Sequence, residues 1–204
     1  MTIEFQNCKK KFKNTLILDE QYFKIPDGIN RLAGKNGSGK STLLRMITGL
    51  DKDYTGEIIK PEKNILYLTP DPIGVIPFTI RENLKILWDS FDIQPSIEEL
   101  QIVDQFFDGK LDIPYNKAST GMKAKLGLSL IFVNNWDLII IDETMSTIDS
   151  ESLSLLIHYL IDNIYQKYKT VIYVSHTNLD SMLKLDSYNI LLEEGKLSWI
   201  KNNS

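Results

Sequence analysis

The spacing of hydrophobic positions changes several times along the chain, and each change predicts a different element. Residues 2–6, 15–25 and 29–33 are rich in Ile, Leu, Phe and Tyr and predict β-strands, with Pro26-Asp27-Gly28 as a turn before the third. Shorter strands are predicted at 56–60 and 64–69, followed by a loop marked by Pro70, Asp71, Pro72 and Gly74. From residue 79 the period becomes helical. TIRENLKILWDSF (79–91), IEELQIVDQFF (97–107) and the stretch after Gly121 predict three helices. In the last of these, Leu126 and Leu130 are four apart and Val133 follows three later, which aims one apolar stripe at a core. WDLIIIDE (136–143) and TVIYVSH (170–176) are continuous apolar runs, as expected of strands covered on both faces in a parallel sheet. Between them, Leu153, Leu156, Leu160, Ile161 and Ile164 give residues 151–166 the pattern of an amphipathic helix. Two strands, 187–193 and 196–200, flank a turn at Glu194-Gly195. Strands alternating with helices around buried strands predict one α/β domain over residues 1–204. Its mixed-sheet core is expected at about 1–69 and 134–204, with an inserted α-helical subdomain at about 70–133.

The 204 residues, 43% hydrophobic and 25% charged, are enough for a core that needs no staples. A formal net charge of −4 argues against broad attraction to nucleic acid or to an anionic membrane. The only basic cluster, KKKFK at 9–13, is read as a solvated turn. Cys8 is the single cysteine, so no intrachain disulfide forms and a reducing, cytoplasmic setting fits; its side chain is expected to be small filler on a strand, partly buried. The N-terminal MTIEFQNCKKKF has no apolar stretch like a signal peptide, and the most apolar stretches, LGLSLIFV and LIII, fall far short of the roughly 18–20 residues that span a bilayer.

The chemistry-bearing positions cluster around the predicted strand ends. Gly34 to Ser41 fits G-x-x-x-x-G-K-[ST], with a strand before it and a helix, stopped by Gly49, after it. Across Gly34, Asn36, Gly37, Ser38 and Gly39 the backbone N–H groups can curl around phosphates. Lys40 brings a mobile positive charge to the β- and γ-phosphates, the Ser41 hydroxyl ligates Mg²⁺, and Thr42 adds a contact to the α-phosphate. Asp142 and Glu143 close the LIIIDE strand. They are either two acids ending a strand or, beside a phosphate loop, a metal ligand (Asp142) and a group that orients or deprotonates the attacking water (Glu143). His176, at the carboxyl end of the next buried strand, is placed to donate to a γ-phosphate and sense its loss, whereas His158 inside a helix is read as structural. Ser119 stands just before a helix, where free N–H groups and the dipole favour a second anion.

In order and spacing, GKNGSGKST at 34–42, ASTGMK at 118–123, LIIIDE at 138–143, STID at 146–149 and VSH at 174–176 resemble the ATP-binding cassette (ABC) ATPases over nearly the whole chain. The resemblance implies a P-loop NTPase fold of ABC type, ATP and Mg²⁺ as ligands, and ATP hydrolysis. It implies a second ABC ATPase subunit paired head to tail, so that Ser119 and Gly121 of one chain hold the γ-phosphate of the ATP bound by the other. Phe12 falls where an aromatic ring stacks on adenine, and Asp149 at the acid of the loop that links the two sites. It also implies a separate integral membrane permease whose cytoplasmic helix docks near 70–92, with this subunit peripheral on the inner face of the membrane. ATP is expected to close the pair and hydrolysis by Glu143 to reopen it. STGMK resembles the signature of bacterial exporters and suggests export.

Several positions depart from the family pattern. Ala118, Thr120 and Met122 replace the first, third and fifth residues of Leu-Ser-Gly-Gly-Gln, and Thr144-Met145 stands for Pro-Thr after the glutamate. Pro70 stands where a glutamine normally touches Mg²⁺ and water, and Asp71 or ordered water is expected to substitute. The lost glutamine leaves a slow nucleotide-dependent switch as one alternative. A soluble ATPase of ribosomes or DNA is the other, but it is disfavoured by the single phosphate loop and by the absence of room for a coiled coil at 43–118.

Overall fold

The computed structural model describes residues 2–13, 15–163, 170–175 and 188–200. The chain opens with a hairpin of β1 (Ile3–Phe12) and β2 (Thr15–Ile25), passes through β3 (Gly28–Ala33), and enters α1 (Lys40–Thr48), which ends at a left-handed Gly49. β4 (Thr55–Ile59) and β5 (Ile65–Leu68) follow. Next come α2 (Ile80–Ser90), α3 (Ile97–Phe106) and α4 (Thr120–Leu128). β6 (Leu138–Asp142), α5 (Ser150–Asn163), β7 (Thr170–Val174), β8 (Tyr188–Glu193) and β9 (Lys196–Trp199) complete the order. α2 and α3 each begin with a reciprocal capping box, Thr79 with Glu82 and Ser96 with Glu99, which satisfies donors that a helix start leaves open.

The expected mixed sheet is present, and a second, smaller sheet accompanies it. One is antiparallel, in the order β2-β1-β4; the other runs β5-β6-β7-β3-β8-β9, parallel except for the antiparallel pair β8–β9. Every residue of β6 and β7 is buried. Alternate side chains divide between two cores: Ile139, Ile141, Val171 and Tyr173 join the helical side with α2–α5, while Leu138, Ile140, Ile172 and Val174 join α1 and the antiparallel sheet. That division explains why these strands read as unbroken apolar runs. The acidic strand β6 does not adjoin β3, because β7 lies between them.

The basic run at 9–13 is strand through Phe12, not a turn. The period-two pattern faded after residue 6 because β1 is irregular there. Asn7 has φ 51, and the pairing with β4 shifts between Gln6 and Lys9. Lys10 points inward, only 4% exposed, and pairs with Asp51 (3.0 Å) and Asp53 (3.1 Å). Cys8 is fully rather than partly buried, its Sγ donating to the Glu57 carbonyl at 3.0 Å, and burial pushes its thiol pKa up. α4 is shorter than its apolar stripe, passing into a 3₁₀ turn at Ser129–Ile131, yet Leu126, Leu130 and Val133 are all buried as the stripe required. β6 begins at Leu138 and stops at Asp142, since Glu143 leaves the strand with a left-handed backbone. No helix among the described residues is long and apolar enough to cross a membrane.

Candidate functional site: a nucleotide cleft and a separate signature cleft

The loop between β3 and α1 is shaped by backbone rather than side chains. Gly37 (φ 78) and Gly39 (φ 99) take left-handed conformations that other residues adopt only with strain. Gly39 is the N-cap of α1 and makes no side-chain cap hydrogen bond, so no capping side chain occupies the helix start, where N–H groups favour an anion. Ser38 donates its N–H back to the Lys35 carbonyl at 3.1 Å, while its Oγ is buried without a hydrogen-bond partner among the described residues. Lys40 is 8% exposed, and its Nζ donates to the carbonyls of Gly34 (3.0 Å) and Lys35 (3.1 Å), folded over its own loop.

A cleft of about 570 Å³ opens over this loop. Asn36, Gly37, Gly39, Lys40, Ser41 and Thr42 line it, together with Glu143 and Phe12. Phe12 is 62% exposed at the end of the β1–β2 hairpin, where it pairs with Thr15. Thr15 and Ile17 also line the cleft. Sequence reasoning missed both, and only their position across the hairpin from Phe12 would have pointed to them. The uncapped helix start, the orphaned hydroxyl, the ammonium and an exposed aromatic ring are what a nucleoside triphosphate would engage. Ser41 lines the cleft and Asp142 does not; both carry the hard oxygen donors that suit Mg²⁺.

The acids sit where β6 ends. Asp142 is 5% exposed and accepts from the Tyr67 hydroxyl at 3.4 Å. Burial, followed by the Asp142 charge, pushes the Tyr67 phenol up to about 12, so it stays a donor. Glu143 has φ 57; its N–H donates to the Val174 carbonyl at 3.1 Å and its carbonyl accepts from Ser146 N (3.2 Å) and Ser146 Oγ (2.7 Å). A proline at 144 would drive residue 143 toward extended backbone, whereas Thr144 permits the left-handed turn. The Thr144 hydroxyl lies 3.2 Å from the Asp142 carbonyl and 3.4 Å from that of Leu68. His176 lies outside the described residues.

Ser119 and Asp149 share a different cleft, of about 640 Å³. Ser119 is the N-cap of α4, its Oγ accepting from Met122 N at 3.2 Å. The Cα of Gly121 lies against the 144–149 loop so closely that a Cβ there would stand 2.8 Å from the Thr147 carbonyl oxygen. Asp149 caps α5, accepting from Ser152 N (2.9 Å) and Ser152 Oγ (3.0 Å), and pairs with Lys125 at 2.7 Å. Hydrogen bonding to Lys125 and then to the Ser152 N–H holds the Asp149 carboxyl well below the usual carboxylate range. His158, whose Nδ1 lies 2.7 Å from the Ser154 carbonyl, lines this cleft.

Neither Pro70 nor Asp71 lines the nucleotide cleft. Both border a third groove, of about 200 Å³, with Tyr67, Ile73, Phe91 and Lys123, and Asp71 is exposed. The expected substitution of Asp71 for the missing glutamine therefore finds no support in this arrangement.

A glycine loop on a bare helix start, facing a glutamate beyond a buried apolar strand, defines a phosphate-loop nucleotide-binding protein. The chain belongs to the ABC transporter family, whose description matches residues 18–146. It is an ATP-binding subunit and an ATPase of that family. It is similar to the zinc import ATP-binding protein ZnuC of Rickettsia conorii, 32% identical over 89% of this chain and 78% of that one. It is also similar to the Nod factor export ATP-binding protein I of Burkholderia lata, 26% identical over 95% of this chain and 68% of that one. The polysialic acid transport ATP-binding protein KpsT of Escherichia coli is 32% identical over 72% of this chain and 70% of that one. A solved ATP-binding subunit of an ABC transporter shares the fold, with TM-score 0.79 over 98% of this chain and 90% of that one at 18% identity.

Proposed function

We propose that this subunit powers transport through a separate membrane permease, working as one of two cassettes paired head to tail on the inner face of the membrane. One observation carries the pairing: the phosphate loop and Ser119, which caps the signature helix, line different clefts of the same chain. A nucleotide on the loop therefore needs a second chain to bring a Ser119 edge to it, and a two-fold pair supplies both edges at once. Within the first cleft, Lys40 and the α1 N–H groups bind the phosphates, Phe12 packs on the base, and Glu143 holds and deprotonates the attacking water. Ser41 and Asp142 hold Mg²⁺, which supplies positive charge against the phosphate oxygens when bound. Ser119, Gly121 and Asp149 face the nucleotide of the other cassette. His176 is assigned to the γ-phosphate from its motif alone.

The permease contact is proposed on the helical segment 70–133, around the groove at Leu66–Ile73 and the exposed Val75, Ile76 and Phe91. Relatives named for import and for export are both similar to this chain, so the exporter-like STGMK signature is the sole support for export. Glu143→Gln, loaded with ATP, should trap the closed pair. Extracted in mild detergent, it should bring down one multi-spanning membrane protein in stoichiometric amount, and transport assayed with that protein in oriented vesicles gives the direction. Recovery of a pair with no membrane protein would reject the motor reading. Pro70 supports a slow switch instead, and steady-state ATP turnover near background with Glu143 intact would favour it.

A further inference from the structure

The signature cleft holds a buried cation on α4 whose partners come from two other elements. Lys125, in the second turn of α4, has a side chain only 8% exposed, and its Nζ lies 2.7 Å from Asp149 Oδ2. The same Nζ stands 5.4 Å from the centroid of the Phe106 ring at the end of α3. Ser152, in the first turn of α5, donates its hydroxyl to Asp149 Oδ2 (3.0 Å) and lies within hydrogen-bonding reach of the Phe106 carbonyl (3.3 Å). Lys125 thus ties the signature helix to the start of α5 and the end of α3. Withdrawing an ammonium from water costs several kcal/mol, which a single half-exposed carboxylate repays only in part, so such a pair is a weak source of stability and a good fixer of register. The register it fixes is that of the 144–149 loop, which already lies flat on α4 at the Gly121–Thr147 contact.

We propose that Lys125 is a positioning residue that locks the loop ending in Asp149 onto the signature helix, so that Ser119, Gly121 and Asp149 meet a partner cassette's nucleotide as one rigid edge. This rests on the two-cassette reading above. Without the lock, the Ser119 edge and Asp149 arrive independently, and closing the pair requires ordering them separately. Nucleotide binding by the chain's own phosphate loop, in the other cleft, does not involve Lys125.

The test is made in the full chain carrying Glu143→Gln, with two readouts: affinity for a fluorescent ATP analogue, and the ATP concentration for half-maximal dimerisation measured by light scattering. Lys125→Met, similar in length but uncharged, should leave the affinity within about twofold and raise the ATP needed for dimerisation about tenfold, the scale of a coupling residue that touches no ligand in its own chain. Lys125→Arg should restore most of that loss. Asp149→Asn keeps an acceptor for the α5 cap while removing the charge, and should shift dimerisation in the same direction; it serves as the second route if Lys125→Met does not fold. Dimerisation of either charge-removing variant at the parent's ATP concentration overturns the proposal, as does equal loss of both readouts. A parent that binds the analogue yet stays monomeric at saturating ATP overturns the two-cassette reading, and this proposal with it.

Discussion

The two clefts are built on opposite terms. In the nucleotide cleft two features are left open, the start of α1 at a glycine without a side-chain cap and Ser38 Oγ, buried and unpartnered among the described residues, while Lys40 is held only by its own loop's carbonyls. In the signature cleft they are already paired, with Ser119 capping α4, Asp149 capping α5 and Lys125 neutralised by Asp149. A cleft that waits for its ligand keeps donors open, and one that presents an edge to a partner spends them on holding its own shape. Lys40→Ala tests the first half of this contrast and should have the largest effect. Losing a charge-assisted hydrogen bond of roughly 1.5–3 kcal/mol should weaken ATP-analogue binding by at least about tenfold. An affinity within twofold of the parent would mean that the bare helix start alone holds the phosphates.

Glycines sharpen the contrast, because they serve different needs in the two clefts. At Gly37 a Cβ would meet nothing within 4 Å, and the cost of Gly37→Ala lies in its φ of 78, about 1–2 kcal/mol. At Gly121 the Cβ would stand 2.8 Å from a backbone oxygen of the 144–149 loop, so Gly121→Ala must push that loop from α4 at a cost of about 1–3 kcal/mol. Urea unfolding gives both costs. In the Glu143→Gln background Gly37→Ala should affect pairing only through weaker nucleotide binding and be overcome by more ATP, whereas Gly121→Ala should weaken pairing even at saturating ATP; pairing unchanged by Gly121→Ala would separate the loop's packing from its function.

The Lys125–Asp149 pair gives the contrast a pH dependence. Asp149 is held below its ordinary pKa in the fold, so its charged form is favoured there. The resulting stability is present above the unfolded value of about 4 and is lost as pH falls below it, toward the depressed folded value. The stability difference between the parent and Asp149→Asn should therefore be constant near neutral pH and shrink in acid. The Asp149 side chain is 56% exposed, so solvent screens the pair and the effect is modest. A difference that does not change between pH 6 and the acid limit of folding would assign Asp149 to capping alone.

The nucleotide cleft was legible in the sequence because its requirements are local. A glycine loop, a lysine and a hydroxyl must be consecutive, and a doubly buried strand must be apolar along its whole length. What was not legible depends on contacts between distant residues or on single backbone angles. Lys10 looked like part of a solvated turn because nothing in KKKFK reveals that its partners are Asp51 and Asp53. Lys125 was passed over for the same reason, as its spacing from Ser119 says nothing about Asp149. The left-handed Glu143 had a trace in Thr144, where the family carries a proline, but the trace acquires meaning only once φ is known.

The smallest expected effect belongs to Asp71, and it bears on how separate the clefts are. Asp71 is exposed beside Pro70 in the third groove, away from the residues that line the nucleotide cleft. A group that touches neither nucleotide nor attacking water contributes nothing to the difference between ground and transition state, so Asp71→Ala should leave steady-state ATP turnover within about twofold. Pro70→Gln is the complementary change. It returns an amide to the position the family uses, and a several-fold rise in turnover would attribute slow hydrolysis to that one missing side chain. A tenfold loss with Asp71→Ala would show instead that the 69–72 loop swings into the nucleotide cleft when the pair closes. In that case the third groove is a resting position of the catalytic loop, and the missing glutamine is replaced by a carboxylate that reaches the water only in the closed pair.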